Sequence, residues 1–192
     1  QPVSVADIKC LDPALGAGNI LIYLFDFLYR LYELEGFRRE DIAYLIFKNN
    51  LYGLEIDCKV YAVAVFVLLV KAREHCPNFL ENLKEGGDFR LNISCIEEVS
   101  REELEELAPI LGEGDLLDFF GQFINSKVYG SLTRLGDFDE SIYPRLEARL
   151  KGTSYEDKLG KLIKQHRIMG ASYDIVISNP PYIGIRSLNT EL

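Results

Sequence analysis

Asn179-Pro180-Pro181-Tyr182 follows directly on Tyr173-Asp174-Ile175-Val176-Ile177-Ser178, an apolar, β-branched run. Pro180 brings no N–H and forces Asn179 into an extended conformation, and Pro181 fixes the next backbone angle as well. The Asn179 side-chain oxygen and the Pro180 carbonyl then leave the end of the run as two acceptors aimed at one place. An –NH2 group carries the two donors that would meet them. An exocyclic amine on a nucleobase, or a carboxamide nitrogen, is a poor nucleophile because its lone pair is delocalised. Acceptors that pull on its hydrogens favour the pyramidal form that appears as a new bond develops, which is binding specific to the transition state. The Tyr182 ring can stack on the flat group bearing the amine. The plain alternative is a proline-terminated strand with an ordinary turn.

Asp12-Pro13-Ala14-Leu15-Gly16-Ala17-Gly18 is the second such stretch, and it follows the short apolar segment Ile8 to Leu11. Gly16 and Gly18 permit backbone angles and a close approach that a Cβ would forbid, so a ligand can lie against the turn and the helix start beyond it. Asp12, at the strand end, can accept hydrogen bonds from a ligand ammonium. Further on, Leu51-Tyr52-Gly53-Leu54-Glu55-Ile56-Asp57 reads as a second strand ending in two carboxylates. An acid at that position can hold both hydroxyls of a ribose through its two oxygens, and Glu55 is the first choice for the role. Asp57 is the second choice, with capping of the next helix as its alternative.

Positioning these residues requires strands that end at the turns and helices that cover them. Apolar residues from Ile20 onward recur at three- and four-residue spacing, predicting a helix to about Leu34 with Asn19 as its cap. A second helix is expected over Arg39 to Phe47, stopping at Asn49-Asn50. A third runs from Lys59 to about Glu74, and its apolar stretch Val60 to Val70 is too short to span a bilayer and reads as a buried helix. Leu91 to Cys95, preceded by a Gly86-Gly87-Asp88 turn, is apolar enough for a third strand. The run Ile175 to Ser178 suits a fourth, covered on both faces. Between the last two strands lies a helical insertion over about 98–171. It opens on an acidic, helix-prone run and carries Tyr129-Gly130-Ser131-Leu132 and helices over 116–124, 144–150 and 155–169. Lys158, Lys161, Lys164, His166 and Arg167 read as a solvated helix face, with phosphate contact as the alternative.

Taken together and in order, the three stretches resemble motifs I, II and IV of the S-adenosylmethionine-dependent amino-methyltransferases, chiefly the adenine-specific DNA enzymes of restriction–modification and phage-defence type. Leu15 and Ala17 depart from that family's commonest form, which has Cys and Ser there. The resemblance implies an α/β fold with a Rossmann-like methyltransferase sheet in three-two-one-four order, here incomplete. It also implies that residues 1–192 are part of a catalytic domain whose fourth strand presents an open edge. S-adenosyl-L-methionine is the implied cofactor. Asp12, Ala14, Gly16 and Gly18 would hold its methionine end and Glu55 its ribose, with Asp57 as the second candidate and Pro13 and Ile56 among the cofactor-binding residues. Glu97 stands nearest the place where the family contacts the cofactor's adenine amino group. Asn179, Pro180, Pro181 and Tyr182 would receive an adenine swung out of the DNA helix, with no metal involved.

Composition bounds the function. The chain has 192 residues, 48% hydrophobic and 27% charged, an ordinary globular balance. Its net charge of −9 opposes phosphate contact, so this unit is expected to bind DNA poorly alone. The chain starts at Gln1 without Met and ends soon after Tyr182, so it reads as a piece of a longer polypeptide that supplies the DNA contacts. Two copies are expected to pair at the open edge. Cys10, Cys58, Cys76 and Cys95 form no Cys-x-x-Cys pair, which predicts reduced thiols in a cytoplasmic protein without a zinc site. No signal peptide or membrane span is legible. Glutamine methyltransferases acting on release factors also use Asn-Pro-Pro-Tyr, so they stand as the competing enzyme class. A fragment that binds cofactor without activity is the non-enzymatic reading.

Overall fold

The computed structural model describes residues 3–81, 91–112, 114–130, 135–136 and 139–180. Pro181 and Tyr182, the Gly86-Gly87-Asp88 turn, and Ser131 and Leu132 lie outside them. Four short segments pair as parallel strands: β1 (Cys10–Asp12), β2 (Leu51–Glu55), β3 (Asn92–Cys95) and β4 (Ile175–Val176). Their order is β3-β2-β1-β4, the three-two-one-four arrangement expected from the sequence. Register sets Asp12 opposite Gly53 and Glu55 opposite Cys95, so the polar residues that end β1 and β2 arrive at one edge of the sheet. The pairing of β4 extends one residue past its assigned end, because Ile177 N–H donates to the Leu11 carbonyl at 3.0 Å.

Alternation along the strands divides the apolar residues between two faces. Cys10, Leu51 and Ile93 face α1 (Asn19–Leu34), α2 (Arg39–Leu45) and α3 (Cys58–His75), where Leu21, Phe25, Tyr32, Ile42, Phe47 and Leu68 are fully buried. Leu11, Tyr52 and Leu54 face the other way and meet Ile168. A five-residue π-helical turn, Ile46–Asn50, joins α2 to β2 where a plain stop at Asn49-Asn50 was expected. It carries Asn50 inward. The Asn50 amide donates to the Val5 and Ile8 carbonyls at 2.7 Å, and its oxygen accepts from the Tyr32 hydroxyl at 2.8 Å. A buried side-chain amide needs such partners, and these fix the entry into β1.

The insertion folds around a core of its own. Its helices are α4 (Arg101–Leu111), α5 (Asp115–Gly121), α6 (Ser126–Tyr129), α7 (Ile142–Leu150) and α8 (Glu156–Gly170). Phe119, Phe120, Phe123, Leu146, Leu150 and Leu162 are fully buried among them. Ser100 starts α4 with a reciprocal capping box to Glu103, which satisfies two otherwise orphaned N–H groups. His166, grouped in sequence with a solvated basic face, is instead buried. Its ring nitrogens meet the Tyr143 hydroxyl at 2.9 Å and the Gly136 carbonyl at 3.2 Å. The neighbouring cations go to carboxylates: Lys158 to Glu103, Lys161 to Asp157 and Glu97, and Arg167 to Glu140.

Four further expectations need correction. The β4 run is not covered on both faces: Ile175, Val176 and Ile177 are 41%, 61% and 44% exposed, because among the described residues β4 stands at the edge of the sheet, paired to β1 alone. Helix α3 buries Ala64, Leu68 and Ala72 but leaves Val63, Phe66 and Val70 exposed, so it is covered on one side only. Asn19 does not cap α1. Gly18 takes the cap position at φ 87°, a left-handed conformation suited to glycine, and Asn19 is the first helical residue. Cys58 and Cys95 are not reduced thiols but joined as a disulfide, since parallel pairing sets Cys95 against Glu55, three residues before Cys58. Cys10 and Cys76 remain free and buried, and burial foremost, with the Asp174 charge, pushes the Cys10 thiol up to about 11. Among the described residues no helix is long and apolar enough to cross a membrane.

Candidate active site

The carboxyl ends of the strands open onto a cleft of about 760 Å³. It lies across the point where strand order reverses between β1 and β4, which is where open α/β sheets bind ligands. Pro13, Ala14 and Gly16 line it from the turn after β1, Glu55, Ile56 and Val60 from the β2–α3 corner, and Ser178, Asn179 and Pro180 from the end of β4. Three stretches far apart in sequence, from Pro13 to Pro180, thus share one wall.

The turn after β1 is pinned to β2 before any ligand arrives. Leu15 N–H donates to the Leu54 carbonyl at 2.8 Å and Gly16 N–H to Glu55 Oε2 at 2.7 Å. The Leu15 side chain is buried, and Gly53 makes room for it: a Cβ there would come within 3.2 Å of Leu15 and 3.1 Å of Ile93. The leucine that departs from the commonest motif therefore packs into a gap left by the strand glycine beneath it. Gly16 sits at φ 55° with nothing within 4 Å of where a Cβ would lie, leaving a cradle open beside the backbone. Gly18 is not on the cleft wall. Its missing side chain lets α1 start against Ala64 of α3, which a Cβ would meet at 3.4 Å.

Asp12 is the most unusual group in the site. It is 1% exposed, yet only Oδ1 is engaged, accepting from Ala14 N–H at 3.1 Å. Oδ2 and the Ser178 hydroxyl are both buried without a well-formed hydrogen bond, the hydroxyl lying close to the carboxylate. Burial raises the carboxyl above its ordinary range, and the Glu55 charge adds to that rise. The Ala14 N–H and the nearby Ser178 hydroxyl pull the other way. An unmet carboxylate oxygen at a sheet edge is a costly arrangement unless a donor completes it. A ligand ammonium is such a donor, so the residues present fit the methionine end of S-adenosylmethionine.

Glu55 is more committed than a ribose ligand needs to be. Oε1 accepts from Ile56 and Asp57 N–H at 2.8 and 2.9 Å, and Oε2 from Gly16 N–H. Three of its roughly four acceptor sites are taken, leaving one on Oε2. Asp57 caps α3, accepting from Lys59 N–H at 2.8 Å, and does not line the cleft. Glu97 is also off the wall: its carboxylate lies 3.7 Å from Lys161 and its N–H donates to Gln165. Its neighbour Ile96 lines the cleft instead, beside Ile56 and Val60. Asn179 and Pro180 reach the cleft from β4 and are exposed to it. Val128, Tyr129 and Gly130 line it as well, a contribution from the insertion to which no sequence signal assigned chemistry.

A parallel sheet in this order, with carboxylates and glycines gathered at its carboxyl edge, is of the Rossmann-like methyltransferase class. Residues 49–192 match the Eco57I restriction-modification methylase family, and the chain belongs to that family. It is 29% identical to the adenine-specific methyltransferase PglX of Lacticaseibacillus casei (strain Zhang), over 94% of this chain and 16% of that protein. It is 30% identical to the adenine-specific methyltransferase BrxX of Escherichia coli O9:H4 (strain HS), over 96% of this chain and 18% of that one. The chain thus spans about a sixth of the length of these curated relatives.

Proposed function

We propose that this chain is the cofactor-binding and target-amine part of an adenine-specific DNA methyltransferase of restriction–modification or phage-defence type. Its reaction is methyl transfer from S-adenosyl-L-methionine to the exocyclic amino group of adenine. The observation that carries the reading is the meeting of Gly16 and Glu55 with Asn179 and Pro180 around one cleft, with Asp12 buried just behind its Ala14 wall. Family membership and relatives named as adenine-specific enzymes favour DNA over a protein glutamine.

Asp12 Oδ2 takes the ammonium and Gly16 lets the ligand backbone lie close. Glu55 accepts one ribose hydroxyl at its remaining site, and a second only by releasing the Gly16 N–H. Bound there, S-adenosylmethionine supplies an already activated methyl group. The chain's own part is alignment and exclusion of water. Asn179 Oδ1 and the Pro180 carbonyl accept from the adenine amine as its nitrogen becomes pyramidal. Pro181 and Tyr182 complete the corner, with the Tyr182 ring stacked on the adenine. We also assign Pro13, Ala14, Gly18, Ile56, Asp57 and Glu97 to the cofactor site, Gly18, Asp57 and Glu97 acting from behind its wall.

With −9 net charge and Lys158, Lys161 and Arg167 paired to carboxylates, this part relies on other regions of the long relatives' architecture to grip DNA. The reading places the enzyme with the genome, in the cytoplasm. It also places a pairing of two isolated copies at the exposed β4 edge, and a monomer by light scattering at high concentration would contradict that pairing. The test of function is transfer of labelled methyl to duplex DNA by the full-length protein. Asn179→Ala should slow it by about 10²- to 10³-fold, as loss of an oriented transition-state partner does. Label appearing in a protein glutamine and not in DNA would overturn the assignment.

A further inference from the structure

One wall of the cleft does not come from the strand ends. Val128 and Tyr129 stand on α6 with 77% and 58% of their surface exposed, and both line the cleft. Two outward apolar side chains on so short a helix would be a liability if nothing used them. Their base is firm. Phe119, Phe120 and Phe123, shortly before them in the chain, are fully buried, and Asn125 starts α6 in the left-handed region at φ 61°.

The anchorage of α6 tells which end of the cleft Tyr129 serves. The Phe123 carbonyl accepts from Val99 N–H at 3.2 Å, and Lys127 N–H donates to the Glu98 carboxylate at 3.1 Å. Both partners lie just past the end of β3, next to Ile96. Strand order runs β3-β2-β1-β4, so with strands about 4.8 Å apart the β3 end stands roughly 14 Å from the Asn179 corner after β4. Along that line Asp12 and Glu55 fix the polarity of a ligand, ammonium at β1 and ribose at β2. A nucleoside base must then project beyond Glu55 toward β3. Ile56, Val60 and Ile96 form an apolar surface there, able to cover one face of a flat ring. Tyr129 is the one aromatic among the described residues of the cleft wall.

We propose that Tyr129 is the second face of the purine subsite, stacking on the adenine of the cofactor. The helical insertion is then a part of the cofactor site, not only a spacer between two motifs. This rests on the S-adenosylmethionine reading above.

The chain contains no tryptophan, so Tyr129→Trp places a single indole at the proposed contact. Its fluorescence should change saturably with S-adenosylhomocysteine and stay constant with S-ribosylhomocysteine, which has the same ribose and amino-acid tail but no purine. By calorimetry, Tyr129→Ala should weaken S-adenosylhomocysteine about tenfold, within the range expected for one aromatic–base stack, and leave S-ribosylhomocysteine unchanged. Tyr129→Phe should retain wild-type affinity. Equal losses for both ligands would make Tyr129 a scaffold residue and overturn the proposal. Unchanged cofactor affinity with a raised KM for DNA in the full-length enzyme would overturn it in favour of a target-base contact. If the wild-type chain bound neither ligand, the cofactor reading itself would fall, and the proposal with it.

Discussion

The sheet half and the insertion are built differently and serve the cleft differently. In the sheet half, polar residues sit at strand ends, where register alone brings Asp12 and Glu55 to one edge and a short turn is enough to aim them. The insertion has its own aromatic core and its polar residues face one another, as in Lys158 with Glu103 and Tyr143 with His166. Among the described residues it reaches the cleft through Val128 and Tyr129 of α6 and the adjoining Gly130. On the proposed function, chemistry resides where topology fixes it cheaply, and the insertion contributes shape. The small set that joins the sheet to α8, Leu54, Ile96 and Ile168, is the seam through which one region steadies the other.

Breaking either core should separate the two regions. Phe119→Ala removes a fully buried ring from the insertion and should cost about 3–5 kcal/mol. Hydrogen exchange should show protection lost in α4 to α8 while β1 and β2 keep theirs. Uniform loss across the chain would show a single cooperative unit. Reducing the Cys58–Cys95 bridge acts on the sheet half instead. Opening a loop of sequence separation 37 should cost about 3–4 kcal/mol on the chain-entropy account, read as a lower denaturant midpoint in Cys58→Ser.

The next effect contrasts function with stability at one atom. Asp12→Asn keeps an acceptor for the Ala14 N–H but removes the unmet charge. Cofactor affinity should fall by about 10²-fold, while the ligand-free chain gains roughly 1 kcal/mol at neutral pH. The sign follows from the raised carboxyl. Between its unfolded value and its higher folded value the native state binds more protons, so stability falls as pH rises through that window and the penalty is complete above it. Cofactor binding needs the ionised form and should strengthen over the same rise. In Asp12→Asn both slopes should flatten. Smallest of all, Gly16→Ala should cost about 1 kcal/mol for its left-handed backbone, because space for a Cβ is present. Its affinity loss should exceed that if the open cradle is ligand space.

Much of the sheet half was legible because its signals are local. Asp12 to Gly18 and Asn179-Pro180 announce turns by glycine and proline, and the three-two-one-four order followed from the family those turns resemble. Burial of β4 and α3 was not legible. A β-branched or apolar run shows that an element is apolar, not which of its sides another element covers, and both turned out covered in part. Cys58 and Cys95 meet only through the β2–β3 register, which spacing in sequence does not reveal. His166 did carry a signal: with Leu159, Leu162 and Ile163 it falls on the buried helical stripe, and grouping it with the lysines by charge hid that period. Tyr129 had none, since its place depends on how α6 is moored to Glu98 and Val99.

Calorimetric titration of the chain with S-adenosylhomocysteine, beside Asp12→Ala and Glu55→Ala, tests the central claim most directly. Saturable binding is predicted for the wild type, lost in Asp12→Ala and weakened in Glu55→Ala, where the Gly16 turn also loses its tether. Binding that neither substitution changes, or no binding by the wild type, would contradict the assignment of these strand ends to the cofactor.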